Sequence, residues 1–355
     1  MRPRLLAWLR CPSCQGTLVL EQDRSLFDLA TETDISEGRL TCAACAGHYP
    51  IIDGIPRFVS TEMLAPVTRR TAHRFGLLWM HADLPHPGTA PQRTYHVEQM
   101  TRHLGLGPIK GLVLDAGCGE GIDLCNQAQH PNVEIVGVEL SEGGCSTSRR
   151  RAAGRANVHV VQTDICRLPL DTGQFDVVYS YGVVHHVAEP AHAMRELARV
   201  LKPSGRCIIY VYEDFSERPR ILRRLLAVVN GCRHLTTRIP ASWLYRLCQF
   251  LSPVVFLMCV VPYRLLRRVP RWRGVAEQLP FRHGRGPFTL TGDLYDRFSA
   301  PIERRYSRAQ AGELMHQAGL EHIAVAFERG WVVTGVKPAM EEVLRHSRQA
   351  SDSAA

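Results

Sequence analysis

Cys11-Pro12-Ser13-Cys14 and Cys42-Ala43-Ala44-Cys45 set two pairs of thiols at two-residue spacing. Each pair sits on a short turn that can point two thiolates at one tetrahedral ion, so Cys11, Cys14, Cys42 and Cys45 predict a zinc site. Four sulfur ligands leave no open coordination position, which makes the metal structural. A second constellation runs through Asp115-Ala116-Gly117-Cys118-Gly119-Glu120-Gly121. An apolar strand delivers a carboxylate there, and the chain turns through three alternate glycines toward a helix N-terminus with its free N–H groups. Glu139 ends the next apolar strand, where an acid accepts from ribose hydroxyls. Asp164 ends a third, in "QTDICRLPL", placed to accept from an adenine amino group. Asp115 itself could hold an ammonium group. The set therefore suits a nucleoside that carries an amino acid, whereas a dinucleotide loop more often reads G-x-G-x-x-G.

The elements that must position these groups alternate. "GLVLDAGCG", "VEIVGVEL", "NVHVVQTDI", "FDVVYSYGVV" and "RCIIYVYEDF" read as strands, and "EPAHAMRELARVLKPSG" as a helix ended by Pro203 and Gly205. Strands alternating with helices predict a mostly parallel sheet covered on both faces. "SRAQAGELMHQAGL" then predicts a further helix, and "EHIAVAF" and "GWVVTGVK" two last strands. Six segments follow from this reading: a zinc ribbon over 1–60, a linker and helical cap over 61–110, a nucleotide-binding core over 111–214, an apolar, arginine-rich helical insert over 215–300, the end of the core over 301–337, and a flexible tail over 338–355.

Several of these stretches resemble, in order, the motifs of class I S-adenosylmethionine-dependent methyltransferases: "VLDAGCGEG", the Glu139 strand, "TDICRLPL", "FDVVYSYGVVHHV" and "RELARVLKPSGRCII". The closest flavour is the type 11, ubiquinone/menaquinone-biosynthesis-like group. The resemblance covers about residues 111–213 and, more weakly, 301–337. It implies an α/β fold, a Rossmann-like seven-stranded mostly parallel sheet with helices on both faces, joined here to the ribbon and the insert. It implies that Asp115, Gly117, Gly119 and Gly121 line the methionine and ribose side of S-adenosylmethionine and that Glu139 binds the ribose. Asp164 with the Ile165 backbone would hold the adenine, and Tyr181 would border the methyl group. "YPIIDGIPRF" resembles the small zinc-ribbon partner of certain tRNA and translation-factor methyltransferases, here fused to its client domain.

Histidine titrates near neutral pH, so His185 and His186, just past the fourth strand, are the candidate proton acceptors. Tyr95, His283, Asp293, Asp296 and Tyr306 are further candidates that the sequence does not rank. Twelve cysteines, four paired and eight scattered among apolar residues, point to a reducing compartment with a metal site. Met1 to Arg10 shows no secretory signal. The expected place is the cytoplasm, with a peripheral position at the inner membrane face as the variant.

The formal net charge of +9 favours an acidic partner, although lysine is almost absent (Lys110, Lys202 and Lys337). Twelve arginines and no acidic residue lie between Arg218 and Ala276. The uncharged run Leu247 to Tyr263 falls short of the roughly 20 apolar residues of a membrane span, and Pro253 and Pro262 are expected to interrupt it. The segment reads as an acceptor-binding lid or a peripheral membrane contact over 218–273. A lid of this character implies a hydrophobic small-molecule or lipid-like acceptor, methylated on oxygen or carbon. An RNA methyltransferase gripping phosphates with ribbon and basic surface is the first rival. Against it, the arginines interleave with aliphatics and not with stacking aromatics, and no Asn-Pro-Pro-aromatic motif occurs. A non-catalytic binding scaffold is the second, opposed by the intact Asp115, Glu139 and Asp164.

Overall fold

The computed structural model describes residues 1–21, 34–82, 96–277 and 279–339. Tyr95 and nearly all of the tail lie outside the described residues. The N-terminal unit opens with a 3-10 turn, Pro3–Ala7, and then forms a four-stranded antiparallel sheet: β1 (Leu18–Glu21), β2 (Gly38–Cys42), β3 (His48–Ile52) and β4 (Ile55–Pro56). Asp53 and Gly54 close the last hairpin, both at positive φ (53° and 75°). A two-residue loop of that hand matches the twist of the flanking strands.

Two helices precede the core, α1 (Pro66–Ala82) and α2 (His96–His103). The core then alternates β5 (Gly111–Ala116), α3 (Ile122–Gln127), β6 (Val133–Glu139), α4 (Glu142–Arg151), β7 (Val158–Gln162), β8 (Phe175–Tyr181), α5 (Pro190–Val200) and β9 (Leu201–Val211). The insert follows as α6 (Arg220–Thr236), α7 (Ala241–Val255), α8 (Val261–Leu266), α9 (Arg273–Ala276) and α10 (Thr291–Ser299). Helix α11 (Arg308–Gln317) and strands β10 (Glu321–Phe327) and β11 (Trp331–Val336) complete the chain. The seven core strands form one sheet in the order β10-β11-β9-β8-β5-β6-β7. All neighbours are parallel except those of β11, which runs against β9 and β10. This is the Rossmann-like doubly wound sheet expected. Its chain order reverses at β5, whose C-terminal end opens the crevice where such sheets bind ligands.

Two local readings differ from the structure. Leu201 to Gly205 belong to β9 and not to the end of a helix, because Lys202 precedes Pro203 and is steered to extended backbone. Pro253 and Pro262 do not interrupt the insert. Pro253 lies inside α7, a π turn (Phe256–Val260) follows it, and Pro262 sits in the first turn of α8, where its missing N–H costs little.

Ribbon and core share one hydrophobic cluster in which Leu5, Leu9, Leu40 and Phe58 meet Val161, Leu168 and Leu170. Phe58 N donates to the Gln162 carbonyl at 2.9 Å and Arg57 bridges Gln162, so the ribbon covers the open edge of β7. Arg149 and Arg2 both reach Asp34. His159 stands edge-on to Trp8 and bonds Glu134, which Arg4 also reaches. Burial, with Arg4 beside it, lowers the His159 pKa to about 3 and keeps the ring neutral.

Candidate active site

The two cysteine turns of the ribbon are near copies. Cys11 N donates to the Gly16 carbonyl and Cys42 N to that of Gly47, with Gln15 and Ala46 at φ 60° and 54°. The four Sγ atoms lie within 4.8 Å of one another, Cys11 to Cys45 at 3.6 Å and Cys14 to Cys42 at 3.5 Å. A regular tetrahedron with zinc–sulfur bonds of about 2.3 Å has edges near 3.8 Å, so the donor set fits zinc. Tyr49 Oη approaches Cys11 Sγ at 3.1 Å and supports it from outside the tetrahedron.

At the end of β5 a cavity of about 2150 Å³ opens. Asp115, Gly117, Gly119, Glu139, Asp164, Ile165, Tyr181 and His186 all border it. The backbone of the glycine loop is a cradle. Gly117 has φ 91°, and a Cβ there would lie 2.3 Å from Val183 Cγ2; a Cβ on Gly119 would press on the Trp79 indole at 3.0 Å. Gly121 does not border the cavity. It caps α3, and a Cβ on it would strike Ser148 Oγ at 2.7 Å, so its work is helix packing.

Asp115 is buried, and among the described residues the one hydrogen bond shown to its side chain comes from Tyr179 Oη at 2.8 Å. Burial, then the nearby Asp123 and Glu139 charges, push its pKa well above the carboxylate range. A cation placed beside it would favour the ionised form that burial opposes. Glu139 is held more fully. Its Oε1 accepts from Ser141 N (2.9 Å) and Ser141 Oγ (2.6 Å), and its Oε2 from Gly119 N (3.2 Å). A carboxylate offers about four lone-pair sites, so about one is left for a ligand hydroxyl. Burial raises the Glu139 pKa against these donors. Asp164 Oδ1 accepts from Cys166 N at 2.9 Å, and this acid is only half-buried.

The histidine pair divides. His186 Nδ1 donates to the Ile302 carbonyl at 2.6 Å, which fixes Nε2 as the acceptor nitrogen of a ring that borders the cavity. His185 is wholly buried and does not border the cavity, and among the described residues neither of its ring nitrogens has a hydrogen-bond partner. Burial, then the charge of His186, holds its pKa well below the ordinary value. Its place is in the wall, its ring tilted against that of Tyr212 at 4.0 Å.

Several groups at the site carry no motif. Phe75 and Trp79 of α1 reach over it, and Phe75 lies 5.1 Å from the His186 ring. Tyr181 is sandwiched between His96 (4.0 Å) and Tyr210 (4.5 Å), with His96 Nδ1 on Asp123 at 2.7 Å. Tyr212 Oη donates to Asp296 at 3.2 Å. Burial raises the Asp296 pKa, and the charge of His186 works against that rise. His283 and Asp293 pair at the cavity margin, whereas Tyr306 lies away from it. The helical period on α1 was the signal that could have drawn attention to Phe75 and Trp79.

A strand-end acid trio around a glycine cradle at the sheet's switch point defines a nucleoside-binding α/β protein. The comparisons narrow the class. Residues 114–209 match the family model described as a methyltransferase domain, and residues 2–54 that of the Trm112p-like proteins. The demethylmenaquinone methyltransferase of Clavibacter sepedonicus is 38% identical over 116 residues, 32% of this chain and 45% of that protein. The 27-O-demethylrifamycin SV methyltransferase of Amycolatopsis mediterranei is 32% identical over 132 residues, 34% of this chain and 48% of that protein. The chain thus spans less than half the length of these curated relatives. The solved apo form of the S-adenosylmethionine-dependent methyltransferase SibL aligns at 13% identity and TM-score 0.41 over 69% of this chain and 53% of that one. The core is a methyltransferase domain of the S-adenosylmethionine-dependent class, and the N-terminal unit is a Trm112p-like domain with a zinc-binding cluster of four cysteines.

Proposed function

We propose that the chain transfers a methyl group from S-adenosylmethionine to an oxygen or carbon of a hydrophobic small-molecule or lipid-like acceptor. The observation that carries this reading is the single cavity bordered by Asp115, the glycine cradle, Glu139, Asp164 and the acceptor nitrogen of His186. Its volume, about 2150 Å³, exceeds the ~300–1,000 Å³ of most small-ligand sites, leaving room for a cofactor and an acceptor side by side. The relatives named for demethylmenaquinone and for a demethylrifamycin support an apolar acceptor.

Bound cofactor supplies an electrophilic methyl group. The chain's residues do the rest. Asp115 meets the ammonium group, Glu139 takes one ribose hydroxyl, and Asp164 with the Ile165 backbone holds the adenine. Phe75, Trp79 and the Tyr181 stack form the apolar wall against which an acceptor ring lies. His186, its Nδ1 proton committed to Ile302, accepts the acceptor's proton at Nε2. Tyr212 and Asp296 hold that side of the cavity in place.

Calorimetric titration of the zinc-loaded protein with S-adenosylmethionine and S-adenosylhomocysteine tests the reading; micromolar binding of both is expected, and failure of both in folded protein would overturn it. Glu139→Ala should weaken binding by about 1.5–3 kcal/mol, the worth of a charged hydrogen bond.

Asp115→Asn should separate stability from function. The folded pKa of Asp115 lies above its unfolded value, so its contribution to stability is present at low pH and lost as pH rises through the folded pKa. At neutral pH the cofactor-free Asn variant should therefore melt a few degrees higher than wild type, while its cofactor affinity falls about tenfold or more. A variant that melts lower and binds as well as wild type would remove Asp115 from the role.

A further inference from the structure

The insert carries an apolar surface that the cavity does not use. Helices α7 and α8 and the π turn between them make one helical path of 26 residues, Ala241–Leu266. One stripe of it, Leu244, Cys248, Ser252, Phe256 and Val260, is buried in the protein. There Leu244 and Cys248 join the cluster of Leu78 and Tyr295, and Ser252 Oγ donates to the Pro287 carbonyl at 2.7 Å. Trp243, Leu247, Phe250, Val254, Leu257 and Met258 recur at three- and four-residue spacing on the other face and point outward, Phe250 75% and Met258 70% exposed. Helix α6 continues the surface with Ile221, Leu225 and Val228 exposed; its one buried residue, Arg233, ties it to Glu303 and the Ala300 carbonyl.

Charge selects the occupant. Twelve arginines and no acid lie between Arg218 and Ala276, and Arg267, Arg268 and Arg271 are exposed at the end of the same path. A surface that is apolar along its middle and cationic at its edge matches hydrocarbon below and phosphate above. The path is long enough to cross a bilayer, but its packed stripe and the bond from Ser252 keep it on the protein, which suits a helix lying along a membrane surface and not across it. RNA would satisfy the arginines and leave Phe250, Leu257 and Met258 in water.

We propose that the outer face of α6 to α8 seats this protein on an anionic phospholipid bilayer. Arg246 over Trp243, at 5.6 Å, and Arg267 beside Tyr263, at 5.6 Å, reach outward over apolar stems as interfacial arginines do. Arg218, just before α6, and Leu222 in its first turn also border the cavity, so docking brings its rim to the lipid. That last step rests on the acceptor reading above; the docking does not.

Sedimentation of the full chain with phosphatidylcholine vesicles, with and without phosphatidylglycerol, tests the proposal. Binding is expected to the anionic vesicles and to weaken with salt. Phe250→Glu with Met258→Glu should lower the affinity about tenfold or more. Arg267→Gln, Arg268→Gln and Arg271→Gln together should lower it about a hundredfold, at about fivefold per arginine. None of these five residues borders the cavity, so both variants should bind S-adenosylmethionine as the parent does. If no form binds the cofactor, the proposed reaction fails while the vesicle result stands. Docking would be overturned by no binding to anionic vesicles, by equal vesicle binding of the glutamate pair, or by tighter binding of an RNA oligonucleotide that the glutamate pair leaves unchanged. A dimer in ultracentrifugation that the glutamate pair dissolves would overturn it in favour of a second copy of this chain.

Discussion

Cys42→Ser with Cys45→Ser is expected to strip the zinc and unfold the ribbon. Structural zinc in small Cys/His modules contributes about 10–16 kcal/mol to folding, as large as the margin of a whole domain, about 5–15 kcal/mol. Among its described residues the four-stranded ribbon has little else of its own: short strands, a tight hairpin and a core it shares with the methyltransferase domain. Its loss should not stay local. Phe58 and Arg57 leave Gln162, the edge of β7 is uncovered, and Leu168 and Leu170 lose the cover of Leu9. An exposed parallel edge of that kind pairs with other chains. The variant should therefore lose its metal by elemental analysis and aggregate by light scattering. Cys232→Ser, at an exposed lone thiol, should do neither. Metal content unchanged in the double variant would refute the zinc assignment.

His186→Gln is expected to lower kcat by about 10²–10⁴ with any acceptor that turns over, the usual worth of a positioned base. Cofactor affinity should hardly move, because His186 is held by the Ile302 carbonyl and serves the acceptor, not the cofactor, in the proposed reaction. His185→Asn should do the reverse. Placing a new side chain in a sealed wall lowers stability, and with no border on the cavity it has no proton to take. Equal rate losses in the two variants, with equal losses in melting temperature, would reduce both histidines to packing.

The parts legible in the sequence were those fixed by a few adjacent residues. A C-x2-C turn brings its own two sulfurs together whatever the rest of the chain does. Asp115, Gly117 and Gly119 lie on one strand and the turn after it, so their common destination follows from backbone geometry. Glu139 and Asp164 end the next two strands of the same parallel sheet, and parallel strands end on one side.

Tertiary structure alone decided the rest. His185 and His186 are neighbours in one 3-10 turn, yet one ring is sealed against Tyr212 and the other meets the cavity. No local pattern distinguishes them, because the difference lies in where Ile302, over a hundred residues away, places its carbonyl. Gly121 reads like its two partners and serves helix packing, because Ser148 of α4 lies where its side chain would go. The run from Leu247 to Tyr263 is uncharged on every side in the sequence. Only the packing of Leu78, Leu290 and Tyr295 against one stripe separates a face that belongs to the protein from a face left to its surroundings.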